Sequence, residues 1–375
     1  MSHPRDLFHV PAGSGAYLLA HSVGCQPRTA AGALEAGMLA PWRAAGGDAW
    51  PHWLDTIEGF RKAVATLLGV DPATVAPQAS VSAALFTLLS GLRWPPGKSV
   101  VLLSEQSFPT IGFVLAPLAR LGLTARFIPA REDPSDPETW ERYCDGSVAA
   151  VIAMHVHSNT GLVAPVAEIA AMARRHGAVS IVDAAQSAGI LPLSPTEWGV
   201  DAVIGSCVKW LCGGPGAGYL HVGKELVPAL EPLDVGWFAH ENPFAFDIRD
   251  FRYAPDARRF QGGTPSVAPF ALAAEGIRTV LAIGQERILA NNRACIAAFE
   301  DESGQSLDWS DRSGTLCLAC DNPQALAEVL KAAGYAHDFR GDVLRASFHA
   351  WNTPDEARAL ARFIKQAGVR YTPAC

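Results

Sequence analysis

From about residue 55 to 235 the chain alternates between short runs that are apolar at nearly every position and longer stretches that are apolar only at helical spacing. KSVVLLSE, TARFIPA, SVAAVIAMH, AVSIVDAA, VDAVIGS and AGYLHV are the short runs. DTIEGFRKAVATLLG, ASVSAALFTLLSGL, SFPTIGFVLAPLARLG and APVAEIAAMARRHG are the longer stretches. A strand that is apolar on both sides must be covered on both faces, and amphipathic helices supply that cover. The pattern therefore predicts an α/β fold built on a mostly parallel sheet enclosed by helices.

At 375 residues the chain exceeds a single typical core, so a second domain is expected. Residues 240 to 260 are aromatic and charged without a clear period, which reads as a crossing loop. A long helix follows, PSVAPFALAAEGIRTVLAIG and onward. The remainder then reads strand (GTLCLAC), helix (NPQALAEVLKAAG), strand (YAHDFR), strand (DVLRASF) and helix (TPDEARALARFIKQAG). The expected organisation is an N-terminal segment, 1–20, packing on the small domain, and a large domain over 21–240. A connecting loop over 241–265 leads to a smaller α+β C-terminal domain over 266–375. A formal net charge of −7 argues against a nucleic-acid partner. No apolar run approaches the ~18 residues that would span a bilayer. The start, MSHPRDLFHVPAGSG, lacks a signal-peptide pattern, so a cytoplasmic enzyme is expected. Cys317 and Cys320 sit three apart on an alternating strand pattern and read as core residues rather than a metal or redox pair.

Ligands of open parallel sheets bind beyond the carboxyl ends of the strands. Three such ends carry chemistry: AVSIVDAAQS brings Asp183 and Gln186, VIAMHVHSNTG brings His155, His157, Ser158 and Asn159, and VDAVIGSCVK brings Ser206 and Lys209. Lys209 is one of six lysines against twenty-four arginines, and it follows an apolar strand. A buried Asp183 needs a cationic partner, since an isolated carboxylate is costly there. A plain Asp183–Lys209 salt bridge would meet that need. The alternative is a cofactor between them: a lysine amine bonds an aldehyde and an aspartate holds a protonated pyridine nitrogen, which together describe pyridoxal 5'-phosphate (PLP). ASVSAALF offers a helix start for the phosphate, although Ser80 and Ser82 also suit plain N-caps. Ser206 is placed to add a hydrogen bond, and Phe108 in SEQSFPT either stacks on the ring or belongs to the core.

The order VDAAQ, SCVKWLCGGPG, GWFAH, FQGGTPS and LRASFHAWNTPDEA resembles the class V aminotransferase family, fold-type I PLP enzymes, over roughly residues 17 to 368. GGPG after the lysine, FPT and GWF-x-H are most similar to kynureninase and its relatives. The resemblance implies that Lys209 forms the Schiff base and carries protons, and that Asp183 pairs with the pyridinium nitrogen. It implies further that Gln186 lies near the phenolic oxygen with Asn159 nearby, that Phe108 covers the ring, and that Val81, Ser82 and Ser206 hold the phosphate. Trp237 and Thr264 match positions that approach the phosphate partly from a second subunit, which implies a homodimer with shared active sites. Arg345 matches the arginine that clamps an α-amino acid's carboxylate, a task suited to its fork. Arg340 is a second candidate, with an ordinary ion pair as its competing role. His21 and Ser22, in AHSVG, match a loop bordering the substrate.

The sequence departs from kynureninases at three places: Val208 stands where they have Tyr, Ile111 where they have Asp, and Gln186 where they have His. The mobile cysteine of cysteine desulfurases is absent from AAGYAHDFRGDVLRAS. The expected activity is a kynureninase-like lyase or hydrolase cleaving at a side-chain carbon. A class V transaminase is the alternative, and a non-catalytic binding protein on the same fold the minor one. The aromatic segments WPHW and GWFAHENPF suggest a hydrophobic or aromatic substrate, or simply packing.

Overall fold

The structure, a computed structural model, describes residues 4–13 and 15–374. Met1–His3 and Ser14, part of the expected N-terminal segment, lie outside the described residues. The apolar runs form one seven-stranded sheet. Its order is Val75–Gln78, Gly218–Val222, Ala202–Ser206, Val179–Asp183, Val148–Met154, Val100–Ser104, Thr124–Ile128. Every pairing is parallel except the two made by Gly218–Val222, which runs against its neighbours.

Strand Val148–Met154 shows why a doubly covered sheet reads as a continuous apolar run. Val151 and Ala153 enter the core on one face, with Phe60, Val64, Trp210 and Ile277. Ala150, Ile152 and Met154 enter the core on the other, with Leu85, Leu88, Leu103 and Ile111. The period of two puts alternate residues into opposite cores, so both must be apolar.

Helix Trp50–Leu68 packs on helix Ala268–Ile283, with the Phe60 and Phe270 rings 4.8 Å apart. The long helix expected after residue 265 is two helices, broken at Gly284, whose φ of 91° suits glycine. The second, Gln285–Ser303, packs on Pro354–Gln366, so the chain from 266 onward divides between the two cores. The smaller sheet is antiparallel, in the order Asp338–Arg340, Val343–Ser347, Thr315–Cys320, Tyr371–Pro373. A capping box starts its last helix: Thr353 Oγ1 accepts from the Glu356 N–H at 3.3 Å, and the Glu356 carboxylate accepts from the Thr353 N–H at 3.1 Å.

Near the N-terminus, Leu18 threads into this smaller unit: its N–H donates to Ala336 O and its carbonyl accepts from the Ser347 N–H, both at 2.9 Å. That anchorage carries the next residues, 19–24, back over the large sheet. Gly24 N donates to Val208 O at 2.8 Å, and a Cβ on Gly24 would stand 2.2 Å from Lys209 O. No helix among the described residues is long and apolar enough to cross a membrane.

Candidate active site

Asp183 ends its strand 2% exposed, with Oδ1 accepting from the Ala185 N–H at 2.8 Å. Burial pushes its carboxyl up, opposed by the Lys209 charge and by that N–H. Lys209 lies beyond the end of strand Ala202–Ser206, with Nζ 5.6 Å from the centre of the Phe108 ring. Burial pushes the Lys209 ammonium down; Asp183 opposes the fall, while Arg345 and Arg340 add to it. Among the described residues Asp183 and Lys209 form no ion pair, so the plain salt bridge is not what the fold builds. They line one cavity of about 200 Å³ instead.

Ser80, Val81, Ser82, Phe108, Thr110, Ser158, Gln186 and Ser206 line the same cavity. Helix Val81–Gly91 starts there, and its first N–H groups have no intrahelical acceptor. Ser80 is an N-cap, its Oγ accepting from the Ala83 N–H at 3.1 Å, so its hydroxyl is already used. The Ser82 hydroxyl is hydrogen-bonded to Thr110 Oγ1. Ser206 pairs in register with Gly218, where a Cβ would lie 3.1 Å from Ser80 C and 2.9 Å from Gly205 O. Only glycine lets the helix start approach this strand end so closely. Gln186 donates its Nε2–H to His21 O at 3.1 Å, while its Oε1 is buried without a partner. A buried carboxylate without an ion pair, an orphaned amide oxygen and a helix start open to an anion fit a ligand with a basic ring, polar substituents and a phosphate. PLP has those parts.

The arginines enter from the small domain. Arg345 is paired by its strand neighbour Asp338, Nε donating to Oδ1 at 2.9 Å and Nη2 to Oδ2. Its Nη1 donates to Ser158 O at 3.2 Å. His21 Nε2 meets the same Asp338 Oδ1 at 3.1 Å, and Nδ1 meets Ser347 Oγ at 2.9 Å. Burial alone would raise the Asp338 carboxyl; the hydrogen bonds and charges of His21 and Arg345 overturn that and hold it well below the usual carboxylate range. Burial likewise pushes the His21 imidazole down, the Asp338 hydrogen bond only partly opposing it. His21 thus ties the N-terminal loop to the arginine side chain, and Ser22, half-buried, turns back on Leu19 through a 2.8 Å N–H to O bond. Arg340 donates to Ser158 Oγ and Asn159 Oδ1, both at 3.3 Å, and its Cζ lies 5.1 Å from the Phe108 ring centre.

Of the residues singled out in sequence, Val81, Ser82, Phe108, Asp183, Gln186, Ser206 and Lys209 meet at one cavity. Asn159 is exposed and faces Arg340 rather than the cavity wall. Trp237 stacks edge-on with Trp50 at 6.0 Å and lines a separate cavity of about 330 Å³; Thr264 is exposed and lines a third. Within the single chain, then, neither reaches Lys209, and the WPHW and GWFAHENPF aromatics gather on each other. Ile111 is 0% exposed in the apolar core. Thr110, Met154 and Ala185 in the cavity wall, and Asp338 behind it, were not singled out. Asp338 meets Arg345 through the register of two adjacent short strands, which places the acid opposite the base.

A family model described as Aminotransferase class-V matches residues 48–306. An uncharacterized aminotransferase, YcbU, of Bacillus subtilis (strain 168) is 31% identical over 318 residues, covering 83% of this chain and 84% of the relative. A kynureninase of Deinococcus radiodurans is 31% identical over 368 residues, covering 93% of this chain and 88% of the relative. Among solved structures, a lysine-to-alanine mutant of C-DES with glycine covalently linked to its PLP cofactor superposes with a TM-score of 0.82 at 25% identity, covering 92% of this chain and 95% of that one.

Proposed function

The chain belongs to the class V aminotransferase family and is a PLP-dependent enzyme of fold type I, and from that premise we propose that it acts on an α-amino acid through Lys209, cleaving at a side-chain carbon as a lyase or hydrolase. The observation that carries this reading is the pair Asp183 and Lys209, enclosed at one cavity yet not bonded to each other. When bound, the cofactor supplies an aldehyde for the lysine amine and a ring that draws electrons from the substrate's α-carbon.

The chain's own residues divide the remaining work. Asp183, as a carboxylate, favours a protonated ring nitrogen, and that charge relieves the cost of its own burial. Burial of Lys209 favours the neutral amine, the form that takes a proton from the α-carbon and returns it at a later atom. Val81 and Ser82 offer backbone N–H groups to the phosphate, joined by the Ser206 hydroxyl. Phe108 walls one side and excludes water. Arginines from the small domain provide the charge for the substrate carboxylate.

Transamination is the second reading, favoured by one feature. Kynureninase-type Tyr, Asp and His positions hold Val208, Ile111 and Gln186, and Ile111 is sealed in the core. Purified protein loaded with PLP should absorb visible light and lose that band in Lys209→Ala. Product analysis after a screen of amino acids separates the readings: a detached side chain marks lyase or hydrolase chemistry, and an intact keto acid marks transamination. A protein that takes up no PLP sinks both.

A further inference from the structure

His21 is buried between the cofactor side of the site and the arginine side, and both of its ring nitrogens are engaged. Its carbonyl accepts from Gln186 Nε2 at 3.1 Å. Nε2 meets Asp338 Oδ1 at 3.1 Å, and Nδ1 meets Ser347 Oγ at 2.9 Å. A carboxylate only accepts, so Nε2 carries a hydrogen. The hydrogen between Nδ1 and Ser347 Oγ is free to sit on either atom. The Ser347 hydroxyl has a second acceptor, Leu18 O at 3.0 Å, and it accepts in turn from the His21 N–H at 3.2 Å.

Two arrangements therefore satisfy every group. In one the ring is neutral and the Ser347 hydroxyl donates to Nδ1. In the other the ring is an imidazolium, Nδ1–H donates to Ser347 Oγ, and the hydroxyl turns to Leu18 O. That carbonyl has two lone pairs, one of which already takes the Ser347 N–H at 2.9 Å. An added proton thus leaves no polar atom without a partner. His155, His157 and His349 lack this provision, each being buried with one ring nitrogen unpartnered.

The charged groups that face His21 are Asp338, Arg345 and Lys209; Asp338 favours a proton on the ring, while Arg345 and Lys209 join burial in opposing it. Arg345 gives Nε and Nη2 to Asp338 and Nη1 to Ser158 O. Of the five N–H groups of a guanidinium two remain, one on each terminal nitrogen, and these suit a further carboxylate. A substrate carboxylate docked there offsets the Arg345 charge that opposes a proton on His21. It also brings a second negative charge beside Asp338.

We propose that His21 is a positioning residue that takes up a proton as the substrate's carboxylate docks on Arg345, with the Ser347 hydroxyl turning to Leu18 O to admit it. The inference rests on the reading above, in which Lys209 carries PLP and the small domain's arginines meet the carboxylate. Proton and carboxylate then favour each other's binding equally, as linkage requires.

The test is the pH dependence of carboxylate recognition. Aminooxyacetate carries a carboxylate and methoxyamine lacks one. Each reagent's oxyamine nitrogen forms a C=N bond with the cofactor's aldehyde carbon in place of the Lys209 nitrogen. Its two protons pass to the released lysine amine, with no oxidant or reductant, and the visible spectrum changes. Dividing one second-order rate constant by the other at each pH leaves the carboxylate's contribution and cancels effects on folding, cofactor loading and Lys209. With the carboxylate docked the ring binds more protons, so the ratio rises as pH falls, by up to about tenfold per pH unit. From pH 8 to pH 6 the parent's ratio should rise at least about threefold. His21→Gln keeps an N–H for Asp338 but takes no proton, so its ratio should match the parent's within about threefold at pH 8 and stay flat below it. Ser347→Ala leaves a protonated Nδ1 without its acceptor and should move the rise to lower pH. A flat ratio in the parent, or the parent's slope surviving in His21→Gln, overturns the proposal. A Ser347→Ala profile that coincides with the parent's overturns the part given to the hydroxyl. A ratio near one at every pH overturns the docking on Arg345. Silence of the parent toward both reagents overturns instead the cofactor reading beneath the proposal.

Discussion

Placing at position 111 the aspartate that kynureninases carry should damage this protein rather than convert it, and the damage should depend on pH. Ile111 is 0% exposed and packs among Leu85, Leu103 and Leu115 at the third position of helix Pro109–Leu118. Ile111→Asp forfeits about 2–3 kcal/mol of apolar burial. A carboxylate in the first turn of a helix gains only about 0.3–1 kcal/mol from the dipole, too little to offset that loss. The introduced carboxyl must also stay neutral in the fold, so its folded pKa is raised above the unfolded value near 4, and each pH unit between the two costs about 1.4 kcal/mol. For a carboxyl with a raised folded pKa the unfolded chain sheds its proton first, so destabilisation grows as pH rises and is relieved as pH falls. With the carboxyl neutral in the fold throughout, the whole loss should be about 7–8 kcal/mol near pH 7.5 and smaller by about 2.7 kcal/mol near pH 5.5. Urea unfolding followed by circular dichroism, parent against variant at the two pH values, measures it. Ile111→Asn should lose stability equally at both. A loss below about 1 kcal/mol, or an Asp variant as indifferent to pH as the Asn one, refutes the reasoning.

Gly218→Ala should raise the dissociation constant for PLP at least about tenfold, because its Cβ would meet Ser80 C at 3.1 Å and Gly205 O at 2.9 Å and displace the helix start; equilibrium titration of visible absorbance checks it, and a change under about threefold contradicts it. Asp183→Asn should stabilise or spare the cofactor-free protein, whose buried carboxylate has no ion pair, while costing about a hundredfold in PLP affinity; paired thermal melts with and without PLP show both signs. The His349 imidazole, stacked 4.2 Å from Trp351, is pushed down to about 4 by burial, against an ordinary 6.5. The unfolded chain therefore takes the proton first, and stability should fall by up to about 1.4 kcal/mol per pH unit from 6.5 down to 4. His155, His157 and His221 are pushed down to about 4 by burial as well, so His349→Gln should remove only its own share of the slope, up to about 1.4 kcal/mol per pH unit, in acid urea titrations. Phe246 and Ile248, 78% and 98% exposed, are expected to face a second copy, so the parent should sediment as a dimer and Phe246→Asp with Ile248→Asp as a monomer; a parent that sediments as a monomer contradicts this.

The large sheet was legible because both its faces are buried, which forces apolar residues at every position of strands such as Val148–Met154. Elements with weaker periods were not. Strand Val75–Gln78 has Pro77 within four residues, and it is tolerated because the strand lies at the sheet's edge. The helical turns Ala30–Ala45 bury few side chains and so carry no apolar stripe. At the site, Asp183 and Lys209 could be picked out because ionisable residues ending apolar strands are rare. Ser80 could not be told from a phosphate ligand, since capping and anion binding favour the same residue at the same place. The pairing of Arg345 with Asp338 needed strand register, which motif matching does not supply.

Several features of the cavity are costly in the chain alone, and together they indicate what binding accomplishes. Asp183 is buried without a counter-charge in bonding range, the Gln186 Oε1 has no donor, and Lys209 is held where its charged form is disfavoured. Each unmet group costs on the order of 1–3 kcal/mol. A ligand that satisfies them recovers that energy as affinity, so cofactor binding and folding stability should be strongly linked. The Asp338–Arg345 pair is the contrast, since both charges are met within the protein before any cofactor arrives. Affinity for the cofactor should therefore reside in the groups left unmet, Asp183, Gln186 and Lys209. Thermal stabilisation by PLP that survives in Asp338→Asn but collapses in Asp183→Asn would separate the two classes, and equal loss in both would dissolve the distinction.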